Sequence, residues 1–184
     1  AVLVNSFKVE DAQVRFIDQS VTPPEEITVH QLNASVQNFS LNRPFDMALD
    51  AAVFSPATNV TVNGKAQIDL SAKQIELLFT DVGMDLGQLD LASLKKVSVL
   101  KTVPLPQMLK GKLEATIQEA AFSDKGAGKI KMDINWTNGQ IDLTGVVPGI
   151  SLQANAINIT ANNFSLKDPF DLSVSLGLES EEPN

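Results

Sequence analysis

Apolar and polar residues alternate along most of this chain, in short runs separated by turn-forming residues. A period of two sends successive side chains to opposite faces of a β-strand, so each run predicts a strand with one buried face. The clearest runs have their apolar residues at Phe45, Met47, Leu49, Ala51 and Val53; at Val60, Val62, Gly64, Ala66 and Ile68; at Ile75, Leu77 and Phe79; at Ile130, Met132, Ile134 and Trp136; and at Phe170, Leu172, Val174 and Leu176.

Short turns between the runs favour antiparallel pairing, because parallel strands need crossovers of about a dozen residues or more. Asn138-Gly139 lies between two alternating runs and is the best hairpin signal in the chain. Asn63-Gly64 lies inside a run, where a turn and a bulge or kink are equally favoured. The fold class we predict is all-β, mainly antiparallel, with repeated strand units that form a curved sheet, an open groove or a sandwich.

One segment departs from the alternation and predicts a single helix. Leu86, Leu89, Val97 and Leu100 follow helical spacing, with lysines between them. The Val-Pro-Leu-Pro sequence at residues 103–106 must end this helix, since a residue before proline disfavours the α region. We expect a helix-containing insert at about residues 86–110.

A nine-residue phrase occurs twice, 125 positions apart. Asn-Phe-Ser-Leu-Asn-Arg-Pro-Phe-Asp at residues 38–46 returns as Asn-Phe-Ser-Leu-Lys-Asp-Pro-Phe-Asp at residues 163–171. We predict two related units at about residues 7–54 and 134–178 within one domain, residues 1–178, and a disordered acidic tail at 179–184. The residues of the repeat motif are Asn38, Phe39, Pro44, Phe45, Asp46, Asn163, Phe164, Pro169, Phe170 and Asp171.

Composition excludes several functions. The net charge of −8, with scattered acidic residues, argues against nucleic acid and against electrostatic docking on anionic lipid. The chain has no cysteine, so it forms neither a disulfide nor a thiolate metal site. No apolar run approaches the length of a membrane span.

Candidate chemistry is sparse. The only histidine, His30, has no cysteine partner and is expected to be solvated or to cap a strand. We expect Asp46 and Asp171 to bond nearby backbone amides at strand entries, as acidic side chains do in turns. No nucleotide-binding or hydrolase motif occurs, so we expect a protein that is not an enzyme and that has no catalytic residues, no metal and no cofactor.

Several segments together resemble the AsmA-like superfamily of bacterial envelope proteins, which includes TamB-type relatives. The segments are residues 9–18, 23–29, 36–41, 64–70 and 105–113. The resemblance implies the periplasmic part of an inner-membrane-anchored protein, with an anchor that these residues do not include. It also implies stacked strands around an apolar groove that guides phospholipid between the membranes and serves outer-membrane lipid homeostasis.

Two functions remain open from the sequence. In the first, an apolar groove binds phospholipid or another acyl lipid, and other envelope proteins contact the chain at its ends. In the second, the same residues fill a closed β-sandwich, a structural spacer of a surface or adhesion protein that binds nothing. The groove-wall candidates are Val62, Ile68, Leu77, Phe79, Ile134 and Trp136.

Overall fold

A computed structural model describes residues 3–22, 24–41, 43–97, 100, 103–123, 126–144, 146, 153–164, 169 and 171–177. These residues form one sheet of nine strands that pair in chain order. The strands are β1 (Leu3–Asp18), β2 (Glu25–Ser40), β3 (Phe45–Val53), β4 (Val60–Asp69), β5 (Gln74–Asp85), β6 (Met108–Ser123), β7 (Gly126–Asp142), β8 (Gln153–Phe164) and β9 (Asp171–Gly177).

Every neighbouring pair of strands is antiparallel. The sheet is open, because within the described part of the chain β1 pairs only with β2 and β9 only with β8. The prediction of an all-β, mainly antiparallel curved sheet is therefore confirmed.

The predicted helix is much shorter than expected. Its α-helical part, α1, spans only Leu91–Leu94, after a single 3₁₀ turn at Leu86–Gln88. Two aspartates divide the segment. The Asp85 carboxylate accepts a hydrogen bond from Gly87 N–H (2.9 Å), and that of Asp90 accepts from Ala92 N–H (3.0 Å). Each cap starts a new turn, so the helical spacing of the leucines does not extend into one helix.

Bulges replace one of the predicted turns. The hairpin predicted at Asn138-Gly139 is wrong: both residues lie within β7, and Asn138 has a φ of 51°. Asn63-Gly64 also lies within β4 and forms no turn; the pairing with β5 shifts register there because β5 has an extra residue at the bulge of Phe79. Asn and Gly tolerate positive φ in a bulge as well as in a turn, which is why the dipeptide alone does not separate the two.

Three further residues with positive φ lie near the middle of long strands. They are Asp11 in β1 (47°), Gln31 in β2 (51°) and Phe79 in β5 (45°). Each lies at or next to a register shift with a neighbouring strand. A bulge bends its strand and increases the local twist, so these residues curve the sheet across the middle of its strands.

The repeated phrase corresponds to a repeated hairpin. In β2–β3, Gln37 pairs with Asp46 and Ala34 pairs with Leu49. In β8–β9, the residues 125 positions later pair in the same way: Asn162 with Asp171 and Ile159 with Val174. The register shift after His30 also returns, at Asn155. The two hairpins thus share one register along their length.

The repeat extends to a third strand. The backbone N–H of Asp11 in β1 donates to Asn33 Oδ1 in β2 (2.9 Å). The backbone N–H of Asn138 in β7 donates to Asn158 Oδ1 in β8 (3.3 Å). Asp11 and Asn138 both have positive φ, so the side-chain amide holds the same bulge in both copies. The repeated unit is β1–β3 and β7–β9.

The motif aromatics pack at the β2–β3 connection. The Phe39 and Phe45 rings lie 5.1 Å apart, and Phe45 is only 7% exposed. Phe164 is half-buried in β8, while Pro44 and Pro169 are exposed. Phe170, the side chain of Asn163, residue 178 and the predicted tail at 179–184 lie outside the described residues.

We expect Phe45→Ala to lower the free energy of unfolding by about 3 kcal/mol, because it removes a buried aromatic ring. Phe79→Ala is the matched control, since the Phe79 ring is 74% exposed and its loss should cost within about 0.5 kcal/mol. Urea denaturation of both variants measures the difference. Equal and small losses would mean that the Phe39–Phe45 pair is not part of the core.

Gly64 allows β4 and β5 to approach closely at the bulge. A Cβ on Gly64 would lie 2.5 Å from Thr80 Cα, and Thr80 itself is fully buried. We expect Gly64→Ala to destabilise the protein by about 2 kcal/mol or more through overpacking. Gly87→Ala, whose Cβ would meet only the Asp85 carboxylate at 3.2 Å and Lys110 Cγ at 3.8 Å, should change stability by less than about 0.5 kcal/mol. Thermal melts that rank the two variants in the opposite order would contradict this packing.

Candidate functional site

The register of the strands assigns each side chain to one of two faces. Residues directly opposite each other on paired strands share a face, and neighbours along a strand lie on opposite faces. One set of paired residues crosses all nine strands, and we call it the apolar row. It comprises Val9, Ala34, Leu49, Val62, Val82, Ala115, Ile134, Ala161 and Leu172.

The residues next to this row form a second line, the polar row, on the opposite face. It crosses β2 to β9 and comprises Asn33, Asp50, Thr61, Gly83, Glu114, Asn135, Thr160 and Ser173. No member of the polar row is a large hydrophobic residue. Along these two rows, the sheet therefore has apolar side chains on one face and polar residues or glycine on the other.

The apolar row is long enough for an acyl chain. Neighbouring strands lie ~4.8 Å apart, so nine strands extend over about 38 Å. The hydrocarbon core of a bilayer is about 30 Å thick, so one leaflet of acyl chains occupies roughly 15 Å. The apolar row thus exceeds the length of a lipid tail about twofold.

The described residues contain one sheet, and no second sheet covers its apolar face. Val62, Val82, Ala115 and Ile134 are all half-buried rather than buried. Among the described residues, five of the eight buried hydrophobic residues are alanines: Ala51, Ala52, Ala66, Ala120 and Ala161. In a closed core the large side chains are the ones that lose their exposure. Here most of the covered residues are small, and only Phe45, Leu86 and Ile157 are large buried hydrophobic residues.

The total surface agrees with this arrangement. The chain exposes 12266 Å² for a mass of 19.8 kDa. A compact monomer of this mass exposes ~8600 Å². The excess is typical of a single-layer sheet and not of a sandwich that is closed around a core.

Five of the six predicted groove residues share the apolar face. Val62 belongs to the apolar row, as does Ile134, and Trp136 follows Ile134 by two positions on β7. Leu77 pairs with Ala66, and Ile68 pairs with Ile75, in lines parallel to the apolar row. All five side chains are half-buried.

Phe79 is the exception. Its side chain is 74% exposed, and it has the positive φ of a bulge, outside the regular alternation of β5. Beyond the bulge the apolar positions of β5 move from the odd residues Ile75 and Leu77 to the even residues Val82 and Met84. An extra residue in a strand exchanges the odd-numbered and even-numbered positions that point to the apolar face.

The same change of phase explains the residues of the apolar face that simple alternation missed. In β1 the apolar positions change from Phe7 and Val9 to Ala12 and Val14, on either side of the bulge at Asp11. The signal is present in the sequence as an apolar alternation that skips one residue. An alternation with this skip predicts Val9 and Val82 on the apolar face.

Trp136 is held in a defined position on the apolar face. Its indole Nε1–H donates to the backbone carbonyl of Lys110 (3.1 Å). The ring lies over two glycines, since a Cβ on Gly111 would be 2.5 Å from Nε1 and a Cβ on Gly139 would be 2.7 Å from Cε2. Gly111 also has a φ of 111°, which other residues rarely adopt. The indole is thus anchored by its polar atom and presents its hydrocarbon to the face.

Asp46 bonds side chains and not the backbone amides that the sequence led us to expect. Its carboxylate accepts hydrogen bonds from Lys65 Nζ (2.7 Å) and Asn38 Nδ2 (3.2 Å). The direct pairing of Asp46 with Lys65 across β3 and β4 brings the two charges together. The bond from Lys65, the bond from Asn38 and the positive charge of Lys65 together lower the pKa of Asp46.

We expect Lys65→Met to raise the pKa of Asp46 toward its ordinary value of 3.8. Because the folded-state pKa is lowered, the pairing contributes stability above that value, and the contribution is lost as the pH falls through the folded-state pKa. NMR titration of the Asp46 carboxyl carbon measures the shift. Lys112→Met, on β6, is the control and should leave the titration of Asp46 unchanged. If both variants titrate like the wild type, the ion pair does not form in solution.

The other residues with a possible chemical role do not come together in a site among the described residues. His30 lies exposed in β2, opposite Ala52. Across the described ranges, no three His, Asp or Glu side chains come close enough to hold a metal ion. Where the structure describes helical residues, none of the helices has the length and hydropathy that a bilayer crossing requires.

Comparison of the chain with protein-family models, with curated proteins and with solved structures finds no match.

Proposed function

We propose that this chain is a non-catalytic, periplasmic segment of an inner-membrane-anchored envelope protein of the AsmA-like type. In this proposal the apolar face binds acyl chains of phospholipid and guides them between the two membranes. The observation that carries the proposal is the apolar row, which crosses all nine strands with no second sheet over it among the described residues.

The energetics suit a lipid tail. Contiguous exposed apolar surface marks a site that another apolar surface covers. Burial of one CH₂ group contributes about 0.8 kcal/mol, so half of a long acyl chain contributes roughly 6 kcal/mol without any polar contact. Such binding depends on the length of the acyl chain and not on specific polar groups of the lipid. This agrees with a row made only of aliphatic side chains.

The charges of the protein favour recognition of the tail over recognition of the head group. The net charge is −8, and only 14 of the 184 residues are lysine or arginine. An anionic head group would therefore be repelled by the protein as a whole. We expect the acyl chain to lie on the apolar face while the head group stays in water, so that zwitterionic lipids bind at least as well as anionic ones.

The test is a charge placed in the apolar row. Val62→Asp should abolish the co-purification of lipid, measured by mass spectrometry, because a carboxylate beside the acyl chain must lose its water. Thr61→Asp is the matched control: the next residue of the same strand lies in the polar row and should retain lipid at the wild-type level.

The stability of the same two variants separates the groove from a closed sandwich. On an open face water reaches the new carboxylate, so we expect Val62→Asp to cost less than the several kcal/mol that a charge costs in a closed core. The groove proposal fails if the wild-type protein binds neither lipid nor a fluorescent fatty acid and Val62→Asp fails to fold while Thr61→Asp folds. A structural spacer would then be the function.

A further inference from the structure

The outer edge of β9 is unpaired in the part of the chain that the structure describes, and its apolar residues are exposed. Leu172 is 61% exposed and Val174 is 54% exposed, although both continue lines of apolar residues that run across the sheet. An exposed edge with unpaired backbone N–H and C=O groups is a template for another strand. Exposure alone does not identify that strand.

The internal repeat identifies the kind of strand that would pair with β9. β9 stands in the same register to β8 as β3 does to β2, with 125 positions between equivalent residues. The outer edge of β9 therefore presents its backbone groups in the same order as the edge of β3. In this chain the edge of β3 is already occupied, because β4 pairs with it from Phe45 to Ala51.

The β3–β4 pairing specifies the side chains of the occupant. Asp46, the equivalent of Asp171, faces Lys65 of β4 at 2.7 Å. Leu49, the equivalent of Val174, faces Val62. Asp171 is exposed at the start of β9 and has no lysine equivalent to Lys65 on a strand beside it, because β9 is the edge strand of the described sheet.

We infer that the edge of β9 binds an extended strand of a partner polypeptide whose pattern matches β4. This partner strand runs antiparallel to β9, carries a basic residue opposite Asp171 and places a β-branched apolar residue opposite Val174. It extends both the apolar and the polar face by one strand. The inference depends on the repeat and on the edge, and it holds whether or not the apolar face binds lipid.

A synthetic peptide with the sequence of β4, residues 60–69, is the probe, added to the whole protein. We expect saturable binding and protection of β9 amides in hydrogen exchange, without protection along β1, which forms the opposite edge. A peptide of the same composition in scrambled order is the control. No binding of the β4 peptide, or equal protection of β1, would overturn the inference.

A charge exchange tests the register. Asp171→Lys, an exposed substitution at the start of an edge strand, should weaken binding of the peptide about fivefold, since it replaces an attraction by a repulsion. A peptide with Lys65→Glu should bind this variant with the affinity of the original pair. Failure of the second peptide to restore binding overturns the predicted register. Analytical ultracentrifugation shows whether the protein forms a dimer. A dimer that pairs through β9 and prevents the peptide from binding also overturns the inference, because the occupant would then be a second copy of this chain.

Discussion

The antiparallel register, which aligns one hydrophobic side chain from each of the nine strands, is the constraint on which the rest of the structure depends. Side chains alternate with a period of two, so a slip of one residue between any two strands would exchange hydrocarbon for polar groups on the same face. The bulges preserve the alignment of the apolar row. At Asp11 and Phe79 the strand gains a residue, and the apolar positions of the sequence change phase at the same point.

A sheet of one layer leaves this aligned face without a partner. Lateral contacts shield small residues such as Ala66 and Ala120 completely, but they leave Val62 and Ile134 half-exposed. A second sheet would bury these residues, and the described part of the chain provides none. In our proposal an acyl chain supplies the missing hydrocarbon, and it does so without demanding shape complementarity. The repeat adds a second consequence, since a unit that recurs in register can continue along the same axis and lengthen the face strand by strand.

The alternation of Val60, Val62 and Ile68 was sufficient to predict strands and the face that five of the six candidate residues share, because burial on one face imposes a period of two. The repeated phrase likewise predicted that β2–β3 and β8–β9 are alike. The alternation did not predict the bulge at Asn138-Gly139. Asn138-Gly139 has the composition of a hairpin turn, and only pairing with β6 and β8 on both sides keeps it within a strand.

Hydrogen bonds of aspartate side chains were the other source of error. The caps at Asp85 and Asp90 shorten the helix that leucine spacing predicted, and the Asp46 carboxylate bonds Lys65, a residue 19 positions away. In both cases the deciding contacts are hydrogen bonds of an aspartate side chain. Hydrophobic periodicity has no information on such bonds, whereas it determines the faces of the sheet well.

The fluorescence of Trp136 tests the central claim most directly. It is the only tryptophan of the chain, and its indole lies on the apolar face, anchored to the Lys110 carbonyl. Phospholipid with brominated acyl chains should quench this fluorescence in a saturable manner, while the same phospholipid without bromine should not. If the brominated lipid leaves the fluorescence of the folded protein unchanged, acyl chains do not occupy the apolar face and the account is contradicted.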